Sequence, residues 1–248
     1  MPHLLTISPD FNTKYLSGWF VFNTWLQKSL GEAIHLELFD DFESCRNAIT
    51  ADKIDLIYAN PYDASLLLRD KGFAPVAHPQ SRPDEAIIAV NASSPVGRIE
   101  DFKPGMRVSA TKDPEVNMIC RIMLEPADIG PNDIQIVQRD NYVLVAKDLM
   151  KQEADAGFIL AETFNDLSPM IRDQLKVILK SQIHVIHHML LVGPKLAGKA
   201  GQLQQLLCAM GQDDKGRAIL RDIGVNAWDP SSREDAEFMI DLMDTLIV

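Results

Sequence analysis

The stretch IDLIYANPYDASLLLRDKG, Ile54–Gly72, decides how this chain folds. Ile54–Tyr58 is a short apolar run of the kind that forms a buried strand. It ends at Asn60-Pro61, an amide suited to capping a helix followed by proline at the first helical position, where its missing N–H costs nothing. The helix that follows carries Leu66–Leu68 and stops at Gly72. Open α/β sheets place their ligands at the carboxyl edge of such strands, so Tyr58-Ala59-Asn60-Pro61-Tyr62 is the leading candidate for contact with a small molecule. Two tyrosines and an amide there can sandwich and hydrogen-bond a ligand. The alternative is that Asn60 only caps the helix while the tyrosines pack.

The same alternation extends in both directions. Upstream, His3–Ser8 reads as a strand and Pro9–Thr13 as a loop. A helix follows whose Tyr15, Trp19, Phe22, Leu26 and Leu30 share one face and which Gly31 closes. These aromatics read as core, with Tyr15 at the mouth. Ile34–Phe39 is a second strand, and Asp40-Asp41 opens a short helix with Phe42, Cys45 and Ile49 inward. Downstream, Ala86–Val90 and Met106–Ala110 are strands, and Thr111-Lys112-Asp113-Pro114 opens another capped helix. Ile134–Val137, a turn at Arg139-Asp140-Asn141, a helix to about Gln152 and Asp155–Ile159 form a further α/β unit. His184–Val192 reads as a returning strand, followed by helices over Lys195–Met210, Asp213–Ile223 and Ser232–Ile247. The expected division is one lobe of residues 1–84 and 190–248 and a second of 85–189, with the chain crossing twice.

Composition narrows the function. The 248 residues hold 46% hydrophobic and 24% charged side chains, the balance of an ordered globular chain. With a net charge of −11 and no basic run, a nucleic-acid partner is not expected. The apolar runs fall short of the roughly 18 residues of a membrane span, so no direct membrane insertion is expected. The N-terminus enters a strand at once. The expected compartment is therefore the cytoplasm for the chain as written, or the periplasm where a leader has been removed. Cys45, Cys120 and Cys208 are too far apart for a zinc motif and read as free thiols.

Three segments carry a family resemblance. DLIYANPYDASLLLRDKGFAPVA (Asp55–Ala77), DEAIIAVNASSPVGRIEDFKPGMRVSATKDPEV (Asp84–Val116) and KQEADAGFILAETF (Lys151–Phe164) resemble, in order and spacing, the phosphate/phosphite/phosphonate binding proteins of ABC transporters. The resemblance implies a type II periplasmic-binding-protein fold: α/β, two-lobed, with two hinge crossovers and an oxyanion held in a cleft between the lobes. Its implied partners are the small-molecule ligand and an ABC transporter or a signalling protein. Carried over by position, the ligand side includes Asp10, Tyr15, Tyr58, Asn60 and Tyr62 in the first lobe. The second offers Thr111, Lys112, Asp113, Asn117, Asn141 and Glu162. Where such proteins present a Ser/Thr-rich segment to the anion, this chain has Lys112-Asp113-Pro114-Glu115, and the family's usual histidine near Asp140-Asn141 is absent. Two carboxylates repel a phosphonate and Pro114 removes an N–H donor, which points to another anion, a zwitterion or a neutral metabolite.

Catalytic and metal chemistry have weaker footing. There is no GxSxG, P-loop or HExxH pattern. His184, His187 and His188 cannot converge from one strand, because 187 faces away from the other two. They read as hinge histidines, with a pH response open to them. No metal, cofactor or catalytic residue is expected. An enzyme on the same fold, with Asp113, Glu115 and Glu162 as acid/base candidates, and a ligand-free interaction module are the alternatives.

Overall fold

The computed structural model describes residues 2–246. Its chain divides into two units. One takes residues 2–82 and resumes over His187–Leu242; the other takes Pro83–Ile186 and residues 243–246.

The first unit begins with β1 (His3–Ile7), α1 (Leu16–Leu30), β2 (Ile34–Leu36), α2 (Phe42–Thr50), β3 (Leu56–Ala59), α3 (Pro61–Asp70) and β4 (Ala74–Pro79). The second holds β5 (Ala86–Asn91), β6 (Met106–Ala110), α4 (Pro114–Leu124), β7 (Ile134–Gln138), α5 (Tyr142–Met150), β8 (Ala156–Leu160), α6 (Ala161–Asp166), α7 (Pro169–Arg172) and β9 (Leu175–Lys180). The chain then supplies β10 (Met189–Val192), α8 (Ala200–Cys208), α9 (Asp214–Asp222), β11 (Trp228–Pro230) and α10 (Arg233–Leu246).

Strand order in the first unit is β11-β4-β10-β3-β1-β2. β1 runs parallel to β2 and β3, whereas β10 is antiparallel to β3 and β4. The carboxyl ends of β1 and β3 and the amino end of β10 therefore share one edge. The α1 face read from the sequence packs here: Trp19, Phe22, Leu26 and Leu30 join Leu5, Ile7, Leu56 and Tyr58 in one core. Each such fully buried side chain contributes about 1.5–3 kcal/mol. Gly31, at φ 68°, ends the helix in the left-handed conformation that glycine adopts without a Cβ penalty.

Strand order in the second unit is β7-β6-β8-β5-β9. β6 is parallel to β7 and β8, and β5 is antiparallel to β8 and β9. Thr111, Arg139 and Ala161 thus leave the sheet at one edge. Glu85 and Ser181 stand at that edge too, beside the points where the chain enters and leaves this unit.

Several expectations need correction. The returning strand spans only Met189–Val192. His184 sits at φ 62°, a backbone state foreign to strands, and the segment Ser181–His184 is gripped instead by Glu85, which accepts from the Ser181 hydroxyl and from the amides of Ile183 and His184 (3.2 and 2.9 Å). The strand expected over Ile34–Phe39 stops at Leu36. The structure adds three strands that the sequence pattern does not announce, β4, β9 and β11. The helix expected over Lys195–Met210 is broken: a 3-10 turn at Pro194–Lys199 precedes α8, and another follows it. Of the last expected helix, Ile247 lies outside the described residues.

Candidate functional site

At the carboxyl edge of the first sheet, β1 delivers Ser8 and Asp10 and β3 delivers Asn60. The Ser8 amide donates to the Tyr58 carbonyl (2.9 Å), locking the two strand ends together. Asn60 is the N-cap of α3: its Oδ1 accepts from the Asp63 amide at 2.7 Å. Its Nδ2 donates to Ser8 Oγ (2.9 Å) and to Asp63 Oδ2 (3.2 Å). Arg46, from α2, closes the chain of contacts by donating Nε to Asp63 Oδ1 at 2.6 Å, its guanidinium lying over the Tyr62 ring. Burial pushes the Asp63 carboxyl up, against the pull of Arg46.

Asp10 is held differently. His188, immediately before β10, places Nε2 3.1 Å from Asp10 Oδ2 and stacks its ring on Tyr58 at 5.2 Å. Burial opposes the Asp10 charge, but His188, through charge and hydrogen bond, together with Ser8 and the residue's own amide, holds the carboxyl below its usual range. Antiparallel pairing explains the meeting: Met189 lies opposite Ala59, which puts His188 at the level of the turn after β3.

The second unit presents a parallel construction. Asp113 caps α4, accepting from the Val116 amide (3.1 Å) and from the Tyr142 hydroxyl (2.6 Å). Asn117 Nδ2 bonds the carbonyls of Thr111 (2.8 Å) and Asp113 (2.6 Å), and Thr111 Oγ1 accepts from the Asp113 amide (3.3 Å). The amino end of α4, which suits an anion in principle, already carries its own carboxylate. Asn141 caps α5 through the Leu144 amide at 3.0 Å. Asp148 accepts from Ser109 Oγ and Arg139 Nε, both at 2.7 Å.

The model of the family described as ABC transporter, phosphonate, periplasmic substrate-binding protein matches residues 5–236. The chain belongs to this family. Among solved structures, the chain is similar to PhnD1 of Prochlorococcus marinus in complex with methylphosphonate, with a TM-score of 0.82 at 11% identity over 99% of this chain and 98% of the other. A binding protein component of an ABC phosphonate transporter from Pseudomonas aeruginosa matches at 0.78 and 15% identity, over 100% and 89%. The aliphatic sulphonate binding protein SsuA of Escherichia coli matches at 0.67 and 14%, over 98% and 86%. These likenesses show the type II periplasmic-binding-protein fold. No curated protein sequence matches.

For this phosphonate-family chain the structure sorts the sequence candidates into groups. Asn60 joins the Ser8–Asp63–Arg46 chain and Asp10 joins His188, while Thr111, Asp113 and Asn117 bond one another. Tyr58 and Tyr62 have separate roles: Tyr58, 7% exposed, packs on Trp19 in the core, and Tyr62, 46% exposed, faces solvent and Arg46. The sandwich read from their spacing is not what these surroundings build, because a strand residue between packed neighbours turns into the core. Tyr15 lies against Gly224, with the Arg82 guanidinium 5.9 Å from its ring centre. Lys112 is exposed and Glu162 half-buried in the first turn of α6. Sequence reading missed Ser8, Arg46, Asp63, Tyr142 and the role of His188. Only the position of Ser8 directly after a strand offered a signal.

Proposed function

We propose that this chain captures a small anionic solute and presents it, chemically unchanged, to an ABC transporter for uptake. The observation that carries the reading is the polar cluster at the carboxyl edge of the first sheet, where side chains from β1, β3, α2 and the start of β10 are fixed by one another before any ligand arrives. Such preorganisation suits capture, since little side-chain entropy is lost on binding. The methylphosphonate of the Prochlorococcus relative supports an anionic solute. Tyr62, Lys112 and Glu162, which keep exposed surface, are proposed as direct contacts. Asp10 and Tyr58 are assigned to the ligand side of the first unit, and Tyr15 to its margin. Asn60, Thr111, Asp113, Asn117 and Asn141 hold the surrounding turns in shape.

The test is thermal unfolding of the full chain against alkylphosphonates, alkylsulfonates, phosphate and carboxylates. A ligand at 100 times its dissociation constant adds about 2.7 kcal/mol, a readily measured rise in Tm. Mass spectrometry of the released ligand should return it intact. A flat response across the panel, or a converted ligand, sinks the reading.

A further inference from the structure

We propose that the stacked histidines His78 and His187 form a proton-sensitive clasp on the chain entering β10, closed while both rings are neutral and opened by acid. The clasp lies within the first unit and does not depend on which solute the protein takes. His78 stands near the end of β4 and His187 two residues before β10. The antiparallel register, with Leu190 opposite Ala77, brings them side by side. Their ring centres are 4.1 Å apart, with 14° between the planes. Paired rings usually stand about 4.5–7 Å apart, so these two faces touch. His188, the next residue, stacks on Tyr58 and reaches Asp10. One histidine thus ties the entry of β10 to β4, and the other ties it to β3 and the end of β1.

The surroundings favour two neutral rings. His187 Nδ1–H donates to the His188 carbonyl, which only accepts (3.2 Å). His78 Nδ1 lies 2.9 Å from the hydroxyl of the buried Ser231, which can donate to a neutral ring. Among the described residues, the charged groups acting on His78 are Asp229 of β11 and Asp235 of α10, and both favour a proton on it. Asp235, held below the carboxylate range chiefly by Ser232, feels the charge of both histidines. Of titratable groups α8 holds Cys208 alone, whose thiol is kept neutral by burial. Burial outweighs the two carboxylates and holds His78 below the ordinary histidine value of 6.5. A second proton would also set two like charges 4.1 Å apart. A histidine depressed in this way stabilises the folded chain above its unfolded value, and that contribution is lost as pH falls below about 6.5. Release of His187 loosens the backbone that carries His188, so acid reaches the contacts of Asp10 and Tyr58 through the neighbouring residue.

Ring NMR of the histidine-labelled full chain between about pH 8 and about pH 5 tests the clasp. The His78 and His187 signals should titrate in two steps about one pH unit or more apart, the mark of interacting sites. His187→Phe keeps a flat ring on His78 and removes the second charge, so it should raise the His78 midpoint and leave a single step. Amide exchange at Met189 and Leu190, corrected for its intrinsic pH dependence, should quicken about tenfold more than in α9 between about pH 7.5 and about pH 5.5. His187→Phe should cut that excess to about threefold or less. Wild-type titration and exchange suffice where the variant does not fold. Single-step titration of both wild-type rings, a His78 midpoint unmoved in His187→Phe, or acid-quickened exchange shared equally by α9 each overturns the clasp and leaves the solute-binding reading standing.

Discussion

Asp10 and Asp63 are carboxylates of one cluster pushed in opposite directions, and the difference lies in their partners. Asp63 is dominated by burial, whereas the contacts of Asp10 with His188 and Ser8 outweigh it. A carboxyl depressed in the folded state contributes stability above its unfolded value, and that contribution is lost as pH falls through the folded one. Wild-type protein should therefore lose stability below about pH 4 more steeply than Asp10→Asn. Urea midpoints at pH 7, 4 and 3 check this; parallel curves for the two proteins would refute it.

At the scale of elements, caps and glycines decide where helices begin and end. Asp113→Ala removes the cap of α4 and the acceptor of the Tyr142 hydroxyl together, and should cost about 2 kcal/mol or more in urea unfolding. Tyr142→Phe, which leaves the cap, should cost about 1 kcal/mol. Equal losses would mean that the cap itself contributes nothing. Two left-handed glycines make a second contrast. An added Cβ at Gly31 meets nothing within 4 Å, so Gly31→Ala should cost only the backbone term of about 1–2 kcal/mol. At Gly224, φ 73°, the Cβ would lie 2.3 Å from Tyr15 Cζ, and Gly224→Ala should lower Tm distinctly further. Equal melting temperatures would refute the close packing of Tyr15.

For the whole molecule, the discontinuous division sets what can fold alone. Every strand of the five-stranded sheet lies within Pro83–Ile186, while the six-stranded sheet needs β10 and β11 from after the second unit. A fragment of about a hundred residues is ample for a domain. Pro83–Ile186 expressed alone should show cooperative thermal unfolding by circular dichroism, and Met1–Arg82 alone should not. Cooperative unfolding of the shorter piece would contradict this division of labour.

The sequence by itself determined the features whose partners lie a few residues away. Asn60-Pro61 and Asp113-Pro114 start helices, Gly31 and Gly224 stop them, and the α1 apolar face packs where its period says it should. A cap binds an amide three positions on, and a helical face repeats within a turn, so the chain's own geometry settles both. The resemblance of three segments was enough for the family. Tertiary structure alone decided the site's wiring. His188 meets Asp10 across 178 positions and Arg46 meets Asp63 across 17, contacts made by strand register and helix packing with no local signature. The strands β4, β9 and β11 escaped because their composition blurs the pattern: prolines interrupt β4 and β11, and lysines stand among the apolar residues of β9, while the ladder bonds that make them strands lie with other segments. Tyr58 and Tyr62 look alike in sequence, and only the packing of α1 against β3 sends one into the core and leaves the other at the surface.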